Sequence, residues 1–461
     1  YHFKNLFNMK KYNLNISAPT DGRYSNLCSE INGIFSEHGL IKNRVKIEIE
    51  WFLFLSNLNK IKSLPKFSAK QTKELRSIYI DFNENDSMRV KKIEETTKHD
   101  VKAVEYFIKE KIKNFKLADK YKEHIHICCT SEDINNVAYA LMLKDARDIL
   151  LGEADALQRK LKSLGKKYKK VPMLSHTHGQ PASPSTMGKE LINFQKRIVS
   201  QIDCLKNVNI KGKFNGATGN YSAHQITYPE IDWPNNIKRY LKNLGIDMNS
   251  HTTQIEPHDY IADLCFKINH MNSILIGFCQ DIWSYISKNY FNQKNIAGEI
   301  GSSTMPHKIN PINFENAEGN LGMCNALTQF FANKLTISRL QRDLSDSTVL
   351  RNLGLVFAYS LIAYKNILIG LDKLDINKAK INEDIDSSWE ILAEPIQMVA
   401  RKYNISNSYE YLKKYTRGKK VDANVILKII ESLDIPKKEK DKLAELTPRK
   451  YIGYAIKLCD E

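Results

Sequence analysis

The sequence predicts an all-α fold, in which an elongated central helical bundle is flanked by two smaller helical domains. Apolar residues recur at helical spacing over stretches of roughly 25 to 35 residues in the middle of the chain, and few segments alternate as strands do. Several stretches carry apolar residues on more than one face, which indicates burial on several sides and hence oligomerisation. We expect an N-terminal helical domain at residues 1–119, the central bundle at 120–371 and a C-terminal helical domain at 372–461.

The chain is long and basic. Its 461 residues are 42% hydrophobic and 26% charged, which is enough for a large core. Lysine and arginine number 69 against 52 acidic residues, and the net charge of +17 suits nucleic acid, an acidic membrane or a polyanionic small substrate. Because the sequence has no compact basic cluster interleaved with aromatic residues and no zinc or RNA-binding motif, we expect no nucleic-acid partner.

The cysteines and the apolar runs favour a cytoplasmic location. The eight cysteines include no CxxC pair, which is typical of a reducing compartment. No run approaches the roughly 20 apolar residues of a membrane span, and no charged-then-apolar leader opens the chain. We therefore expect no membrane partner.

A polar turn, Asp21-Gly22-Arg23-Tyr24, precedes an amphipathic stretch from Val45 to Leu58. The planar guanidinium of Arg23 is suited to meet a phosphate with two parallel hydrogen bonds. An arginine in a turn is also an ordinary surface residue.

The next polar segment contains a histidine. Thr97 is predicted to cap a helix that places His99 in its first turn. The helix dipole disfavours an imidazolium there, so we expect His99 to be neutral. Further on, Thr130 and Ser131 start a helix that runs to about Tyr168; hydroxyls and free amides at such a start hold carboxylates, although ordinary capping explains both residues equally well.

A second loop holds His176 and His178 at a spacing of two residues. No third ligand follows at a suitable spacing, which disfavours zinc, and a histidine beside glycine and proline is placed for proton transfer. The loop is predicted to end with Ser183 as a helix cap and Pro184 at the first helical position. Residues 211–233 are predicted to form a loop or a short hairpin.

The segment Gly298–Pro311 is a polar loop that feeds a helix, with Asn310 as the predicted cap and Pro311 at the first helical position. Helix amides and the Lys308 ammonium would make its surroundings electropositive, a setting in which Ser302 and Ser303 could do chemistry. On composition alone, the alternative is an ordinary surface loop. A cation-and-hydroxyl cluster at residues 339–351 then enters another long helix towards Leu371, and the tail is predicted to turn at Pro395, Gly418 and Pro436.

The run Gly301-Ser-Ser-Thr-Met-Pro-His-Lys-Ile-Asn-Pro311, followed by Glu315, resembles the signature of the fumarase/aspartase superfamily of fumarate-releasing lyases. The similarity covers nearly the whole chain. The segments Asp21–Tyr24, Thr130–Asn136 and Gln341–Arg351 favour the branch that acts on a succinylated purine nucleotide and on its ribotide precursor. The resemblance implies an all-α homotetramer with a twenty-helix core, active sites assembled from three subunits, and no metal or organic cofactor.

The resemblance also implies roles for individual residues. Carbon–nitrogen cleavage by β-elimination needs a base, a site for the developing carbanion charge and an acid for the departing amine. Ser302 matches the base and His178 the acid, while His99 and Asp100 match residues that assist the acid and orient the substrate. The succinyl carboxylates would be held by Lys308, Asn310, Thr130, Ser131 and Gln254. The phosphate and ribose would be held by Arg23, Tyr24, Arg342, Ser347 and Arg351. Further substrate-binding candidates are Lys98, Ser303 and Asn316.

Three alternatives stay open at this stage. Argininosuccinate lyase or aspartase chemistry would leave Arg23, Arg342 and Arg351 without a phosphate to bind. A structural protein that kept the fold without activity would have no need for an intact serine, histidine and lysine set. A nucleic-acid-binding protein would use the net charge and would bind arbitrary RNA or DNA with a steep salt dependence.

Overall fold

The computed structural model describes residues 15–461, and this part of the chain is mostly helical. The α-helices are α1 Ser29–Phe35, α2 Glu37–Ser56, α3 Ala69–Ile80, α4 Glu84–Thr97, α5 Asp100–Ile112, α6 Lys116–Lys120, α7 Ser131–Tyr168, α8 Met187–Lys206, α9 Ser222–Thr227, α10 Trp233–Asn243, α11 Asp259–Ser287, α12 Ile312–Leu335, α13 Ser345–Leu350, α14 Leu353–Asp372, α15 Lys378–Asp386, α16 Ala393–Lys402, α17 Ser408–Thr416, α18 Ala423–Ser432 and α19 Lys437–Ala444.

The strands of the described residues form three two-stranded ribbons. They are β1 Pro172–Thr177, β2 Gln180–Thr186, β3 Lys211–Gly212, β4 Asp247–Met248, β5 Phe291–Gln293 and β6 Leu374–Ile376. β1 pairs with β2 and β5 with β6 in antiparallel fashion, while β3 pairs with β4 in parallel. The all-α prediction is confirmed. For residues 211–233 the sequence predicts a loop or a short hairpin. The hairpin is wrong, because β3 pairs with β4 beyond α10, while residues 213–221 form a loop before α9.

The described residues group into two compact units. Unit 1 comprises residues 15–153, 201–273 and 319–365, and unit 2 comprises residues 154–200, 274–318 and 366–461. The division into three domains at 119/120 and 371/372 stays a prediction.

Unit 1 contains helix α2, which is buried on several sides. The helix begins at Glu37, earlier than the predicted Val45, and Ser36 caps it by accepting the Gly39 N–H. Arg44 and Glu48 interrupt the apolar pattern although both are buried. Arg44 donates to Asn135 and Asp100, and Glu48 pairs with His126. A buried charge must be paired, and here its partners come from other helices and loops.

The start of α5 differs from the prediction. Thr97 is the last residue of α4, Lys98 adopts a left-handed conformation with φ 53°, and the cap of α5 is His99. Its Nδ1 accepts the N–H of Lys102 at 3.2 Å. The predicted cap at Thr97 is therefore wrong, because Thr97 belongs to the preceding helix α4 and the left-handed Lys98 separates it from α5.

Unit 2 contains the β1–β2 hairpin. Ser183 and Pro184 lie within β2, and helix α8 begins at Met187 with Thr186 Oγ1 accepting the Lys189 N–H at 3.2 Å. The predicted cap and first helical position are therefore wrong, since both residues lie on a strand paired with β1. At the other end of the unit, Pro395 lies inside α16 instead of at a turn.

Against the expectation that no run approaches the length of a membrane span, the segment Ser345–Asp372 is long and apolar enough to cross a membrane by length and composition. The most apolar part of this segment is 72% buried. Tyr364, Leu361 and Ile367 of α14 are fully buried. Side chains buried to this degree are typical of a core helix.

Candidate active site

The signature loop lies in unit 2 and orients the hydroxyl of Ser302. Its Oγ accepts the backbone N–H of Thr304 at 3.3 Å and of Met305 at 3.0 Å. Hydrogen bonds donated to an oxygen favour its ionised form, so this turn favours ionisation of the Ser302 hydroxyl, as the predicted role of a base requires. Ser303 and Lys308 are exposed on the same loop.

The two ends of this loop are tied together. Asn310 donates to the Gly301 carbonyl at 3.0 Å, and Gln293 donates to the Ile309 carbonyl at 2.7 Å. A Cβ added to Gly301 would lie 2.1 Å from the Lys308 carbonyl oxygen, so only glycine fits at this crossing. The predicted cap at Asn310 is wrong, because the Asn310 side chain closes the loop instead of capping the helix. Helix α12 begins at Ile312, and the Pro311 carbonyl accepts its first hydrogen bonds.

The loop encloses a small basic cavity within unit 2. The cavity has a volume of about 170 Å³, and its lining includes Gly301, Lys308, Asn310 and Lys373. Lys373 also pairs with Glu299 of the loop at 2.7 Å. The arrangement is suited to an anion, as the sequence predicts.

His178 lies at the tip of the β1–β2 hairpin in unit 2. It has φ 54° and Gly179 has φ 74°, so both residues of the two-residue turn are left-handed. A left-handed conformation is the rule for the two central residues of a type I′ turn, and histidine adopts it more often than most residues other than glycine. The turn presents the imidazole at the exposed end of a rigid hairpin.

In unit 1, the hydrogen bond by which His99 caps α5 also fixes the tautomer of its imidazole. Because Nδ1 accepts the Lys102 N–H, the ring proton of the neutral form lies on Nε2. The side chain is 52% exposed. This geometry agrees with the predicted neutral imidazole and leaves Nε2–H available as a donor.

Asp100 follows His99 and forms ion pairs with two arginines. Its Oδ2 lies 2.7 Å from Arg44 Nη2 and 3.1 Å from Arg351 Nη2. Burial raises the pKa of Asp100, but Arg44, the Val101 N–H and Arg351 together hold it below its ordinary value. Asp100 is therefore a fixed negative charge that orients Arg351, which also pairs with Glu37 at 3.0 Å.

The predicted carboxylate site at the start of α7 is built on a buried ion pair. The Thr130 N–H donates to Asp133 Oδ2 at 2.8 Å, and Lys213 Nζ lies 2.9 Å from Asp133 Oδ1. Both charged side chains are fully buried. Asp133 also accepts the N–H groups of Asn215 and Gly216. This pair anchors the start of α7 to the loop that contains Lys213, Asn215 and Gly216.

In unit 1, Arg342, which is predicted to bind the phosphate or ribose, contacts Gln254, which is predicted to bind a carboxylate. Its Nη1 donates to Gln254 Oε1 at 3.2 Å, and its Nη2 lies 3.2 Å from Glu132 Oε2 and 4.0 Å from Asp346 Oδ1. Asp346 also accepts the N–H of Ser347. The sequence gives no role to Glu132, Asp346 or His258, although each adjoins a motif residue. One carboxylate oxygen of Glu132, one of Asp346 and one imidazole nitrogen of His258 all lie within 4.8 Å of one another.

The remaining candidates have simpler settings. The Arg23 guanidinium lies 5.9 Å from the centre of the Tyr24 ring, which orients both residues of the predicted polar turn. Lys98 is the left-handed residue that ends α4, and this position at the end of a helix accounts for its backbone conformation. Asn316 lies in the first turns of α12, beside Glu315, which accepts the indole N–H of Trp283 at 3.1 Å.

Comparisons with known proteins define the class. The family described as Lyase matches residues 22–326, and the family described as Adenylosuccinate lyase C-terminal matches residues 338–452. A solved fumarate lyase from Mesorhizobium sp. BNC1 has a TM-score of 0.75 at 15% identity, covering 94% of this chain and 96% of that chain. The 3-carboxy-cis,cis-muconate lactonizing enzyme of Pseudomonas putida has a TM-score of 0.73 at 16% identity, covering 94% and 95%. The solved structures show the same fold, and the Lyase family match with the signature loop defines a lyase of the fumarase/aspartase superfamily, as the sequence predicts.

The sequence relatives define the family. Adenylosuccinate lyase of Escherichia coli (strain K12) is 51% identical over 454 residues, covering 98% of this chain and 100% of that protein. The Vibrio cholerae enzyme of that name is 50% identical over 446 residues, covering 96% and 98%. The chain belongs to the adenylosuccinate lyase family.

Proposed function

We propose that the protein catalyses the β-elimination of fumarate from adenylosuccinate, giving AMP, and from the succinyl aminoimidazole carboxamide ribotide (SAICAR), giving the carboxamide ribotide (AICAR), in purine nucleotide biosynthesis. The observation that carries the proposal is the 51% identity to an adenylosuccinate lyase over 98% of the chain. The Ser302 geometry supports the same chemistry, since two backbone N–H groups donate to the proposed base.

Each step of the elimination has a proposed group. The Ser302 alkoxide takes the proton from the carbon beside the succinyl carboxylate, with Lys308 and the two N–H groups stabilising the alkoxide. The electron pair passes through the carboxylate, held by Lys308 and Asn310, and the carbon–nitrogen bond breaks. His178 gives its proton to the departing nitrogen. The substrate's own carboxylate accepts the electrons, so the proposed reaction calls for no metal or organic cofactor.

The other candidates bind the substrate in this proposal. Thr130, Ser131 and Gln254 hold the second carboxylate. Ser303, Asn316 and Lys98 make further contacts with the substrate. Arg23, Tyr24, Arg342, Ser347 and Arg351 hold the phosphate and ribose, where guanidinium groups are suited to a phosphate. His99 donates through Nε2 and assists the acid.

We further propose a cytoplasmic homotetramer in which residues from several subunits complete each active site. In unit 1, several apolar side chains around α11 and α12 are exposed: Phe266 by 52%, Met323 by 53%, Phe330 by 53% and Ile337 by 67%. Apolar side chains this exposed on neighbouring helices are typical of a subunit interface. The free state of all eight cysteines supports a reducing compartment.

The test is a cleavage assay with three substrates. Adenylosuccinate should be cleaved with a kcat/KM at least about a thousandfold above that for argininosuccinate or aspartate, because only adenylosuccinate carries a phosphate for the arginines. Equal or greater activity on argininosuccinate or aspartate would favour another superfamily reaction. A complete lack of lyase activity would favour a structural role.

A further inference from the structure

Three buried polar side chains of unit 1 meet beside Arg342, a proposed substrate-binding residue. Glu132 in the first turn of α7, His258 before α11 and Asp346 in α13 are exposed by only 1%, 2% and 4%. Their potential ligand atoms lie within 4.8 Å of one another. Arg342 is adjacent, with Nη2 at 3.2 Å from Glu132 Oε2.

The hydrogen bonds of this cluster do not balance. Among the described residues, Glu132 Oε1, His258 Nε2 and Asp346 Oδ2 are buried and have no hydrogen-bond partner. His258 Nδ1 lies 3.2 Å from the Leu335 carbonyl oxygen, which can only accept, so Nδ1 carries the proton and Nε2 of the neutral ring is an acceptor. Arg342 Nε is also buried without a partner in this part of the chain, but one such donor cannot satisfy three buried acceptors, so a further donor is required among them.

We propose that Glu132 retains its proton and is a positioning residue for Arg342, so that the arginine keeps its positive charge available for the phosphate of the substrate. The inference rests on the proposed function. If Glu132 and Asp346 were both ionised, one arginine would be surrounded by two buried carboxylates, and the site would repel a phosphate. A protonated Glu132 removes one of these charges and provides the missing donor.

The electrostatic surroundings support a proton on Glu132. Burial and the Asp346 charge raise its pKa to about 7, against the opposing effects of Arg342 and Lys213. Burial lowers the pKa of His258, although Glu256 and Asp346 oppose the change. Below about pH 7 the extra proton therefore belongs to the carboxyl group. A side-chain hydrogen bond from Asn135 also opposes the rise of the Glu132 pKa, and Tyr260 faces Glu132 as well.

The kinetic test compares Glu132→Gln, which imitates the protonated acid, with Glu132→Ala. The KM of Glu132→Gln should stay within about twofold of wild type near pH 6, whereas Glu132→Ala should raise KM about tenfold with a smaller effect on kcat, because Arg342 loses its support. From about pH 6 to pH 8.5 the wild-type KM should rise relative to that of Glu132→Gln as Glu132 loses its proton. Taking this ratio cancels the titration of the substrate phosphate. Glu48→Gln, at a buried glutamate that pairs with His126, is the matched control and should leave the ratio flat.

Two results would overturn the proposal. One is a Glu132→Gln variant whose KM rises as much as that of Glu132→Ala at every pH, since Glu132 would then act as an anion. The other is a stoichiometric metal ion in the purified protein whose removal by chelation raises KM. Should the variants fold poorly, infrared difference spectra of the wild-type protein decide: a buried protonated carboxylic acid must be present near pH 6 and lost by about pH 8.5. These spectra need no turnover, so the inference can fail while the proposed function stands.

Discussion

Arg351 Nη2 lies 3.1 Å from Asp100 Oδ2, which joins a residue predicted for the phosphate end of the substrate to one predicted to orient it. The contact gives Asp100 a defined task. It holds the guanidinium of a proposed binding residue in place and carries a negative charge at all pH values near neutrality.

Asp100→Asn should therefore weaken binding more than catalysis. We expect KM for adenylosuccinate to rise about tenfold, with kcat less affected, because Arg351 loses a charged partner. Steady-state kinetics measure the two constants. Asp119→Asn removes a partly exposed ion pair with Lys122 in the same unit and should change neither constant. An unchanged KM in Asp100→Asn would show that Glu37 alone positions Arg351.

The same substitution should reveal a pH dependence of stability. The pKa of Asp100 is lower in the folded protein than its ordinary value of 3.8, so its contribution to stability is present above that value and is lost as pH falls through the lower, folded-state value. Denaturant unfolding should show Asp100→Asn to be less stable than wild type at neutral pH. The difference should shrink in strong acid, and a constant difference would contradict the ion-pair assignment.

His99 has a structural and a proposed catalytic task, and two substitutions separate them. Asparagine caps a helix well and alanine does not, so His99→Ala should lose about 1 kcal/mol of stability and His99→Asn much less. Both variants lack the Nε2–H donor, and both should lower kcat by about tenfold to a hundredfold. Thermal unfolding and turnover give the two measurements. Wild-type turnover in His99→Asn would show that His99 serves only as a helix cap.

Gly301→Ala should inactivate the protein by displacing Lys308. The added Cβ would lie 2.1 Å from the Lys308 carbonyl oxygen, so the loop must open. We expect kcat/KM to fall at least about a hundredfold, since a shift of about 1 Å in a catalytic group has this effect. Gly33→Ala is the control, because nothing lies within 4 Å of its added Cβ, and it should keep full activity. Wild-type kinetics in Gly301→Ala would mean that the loop is not used in this conformation.

Periodicity alone predicts the long helices well. The predicted helix from Thr130–Ser131 to Tyr168 is confirmed as α7, and the helix towards Leu371 is confirmed as α14, which ends at Asp372. Apolar residues recur along these helices without interruption, so the local pattern and the tertiary packing agree. The signature loop is likewise found before a helix, with Ser302 at a turn.

Contacts between distant segments account for what the sequence misses. Strand β2 has a proline and a serine that imitate a helix start, and only pairing with β1 makes it extended. The Asp133–Lys213 pair and the Glu132, His258 and Asp346 cluster look like solvated polar residues in the sequence, yet all are buried. No local pattern signals that a polar side chain has a partner many residues away.

The tetramer proposal predicts that one surface substitution separates the subunits. Phe330→Glu places a charge on the exposed apolar surface of α12, where its desolvation would oppose assembly. We expect light scattering to show a smaller species and the cleavage assay to show at least about a hundredfold less activity, because each site would lack groups from its neighbours. Met88→Glu replaces an equally apolar side chain, 68% exposed, on α4 and should remain tetrameric. An active Phe330→Glu monomer would contradict shared active sites.

The central claim is that Ser302 and His178 are the base and the acid of one elimination. The most direct measurement is the rate of adenylosuccinate cleavage by Ser302→Ala and by His178→Ala, with Ser303→Ala alongside and with the assembly state recorded for each. We predict that the first two lose at least about a thousandfold in kcat without dissociating, while Ser303→Ala mainly raises KM. Near-normal turnover in Ser302→Ala would contradict the claim and direct the search for the base to Ser303 or His99.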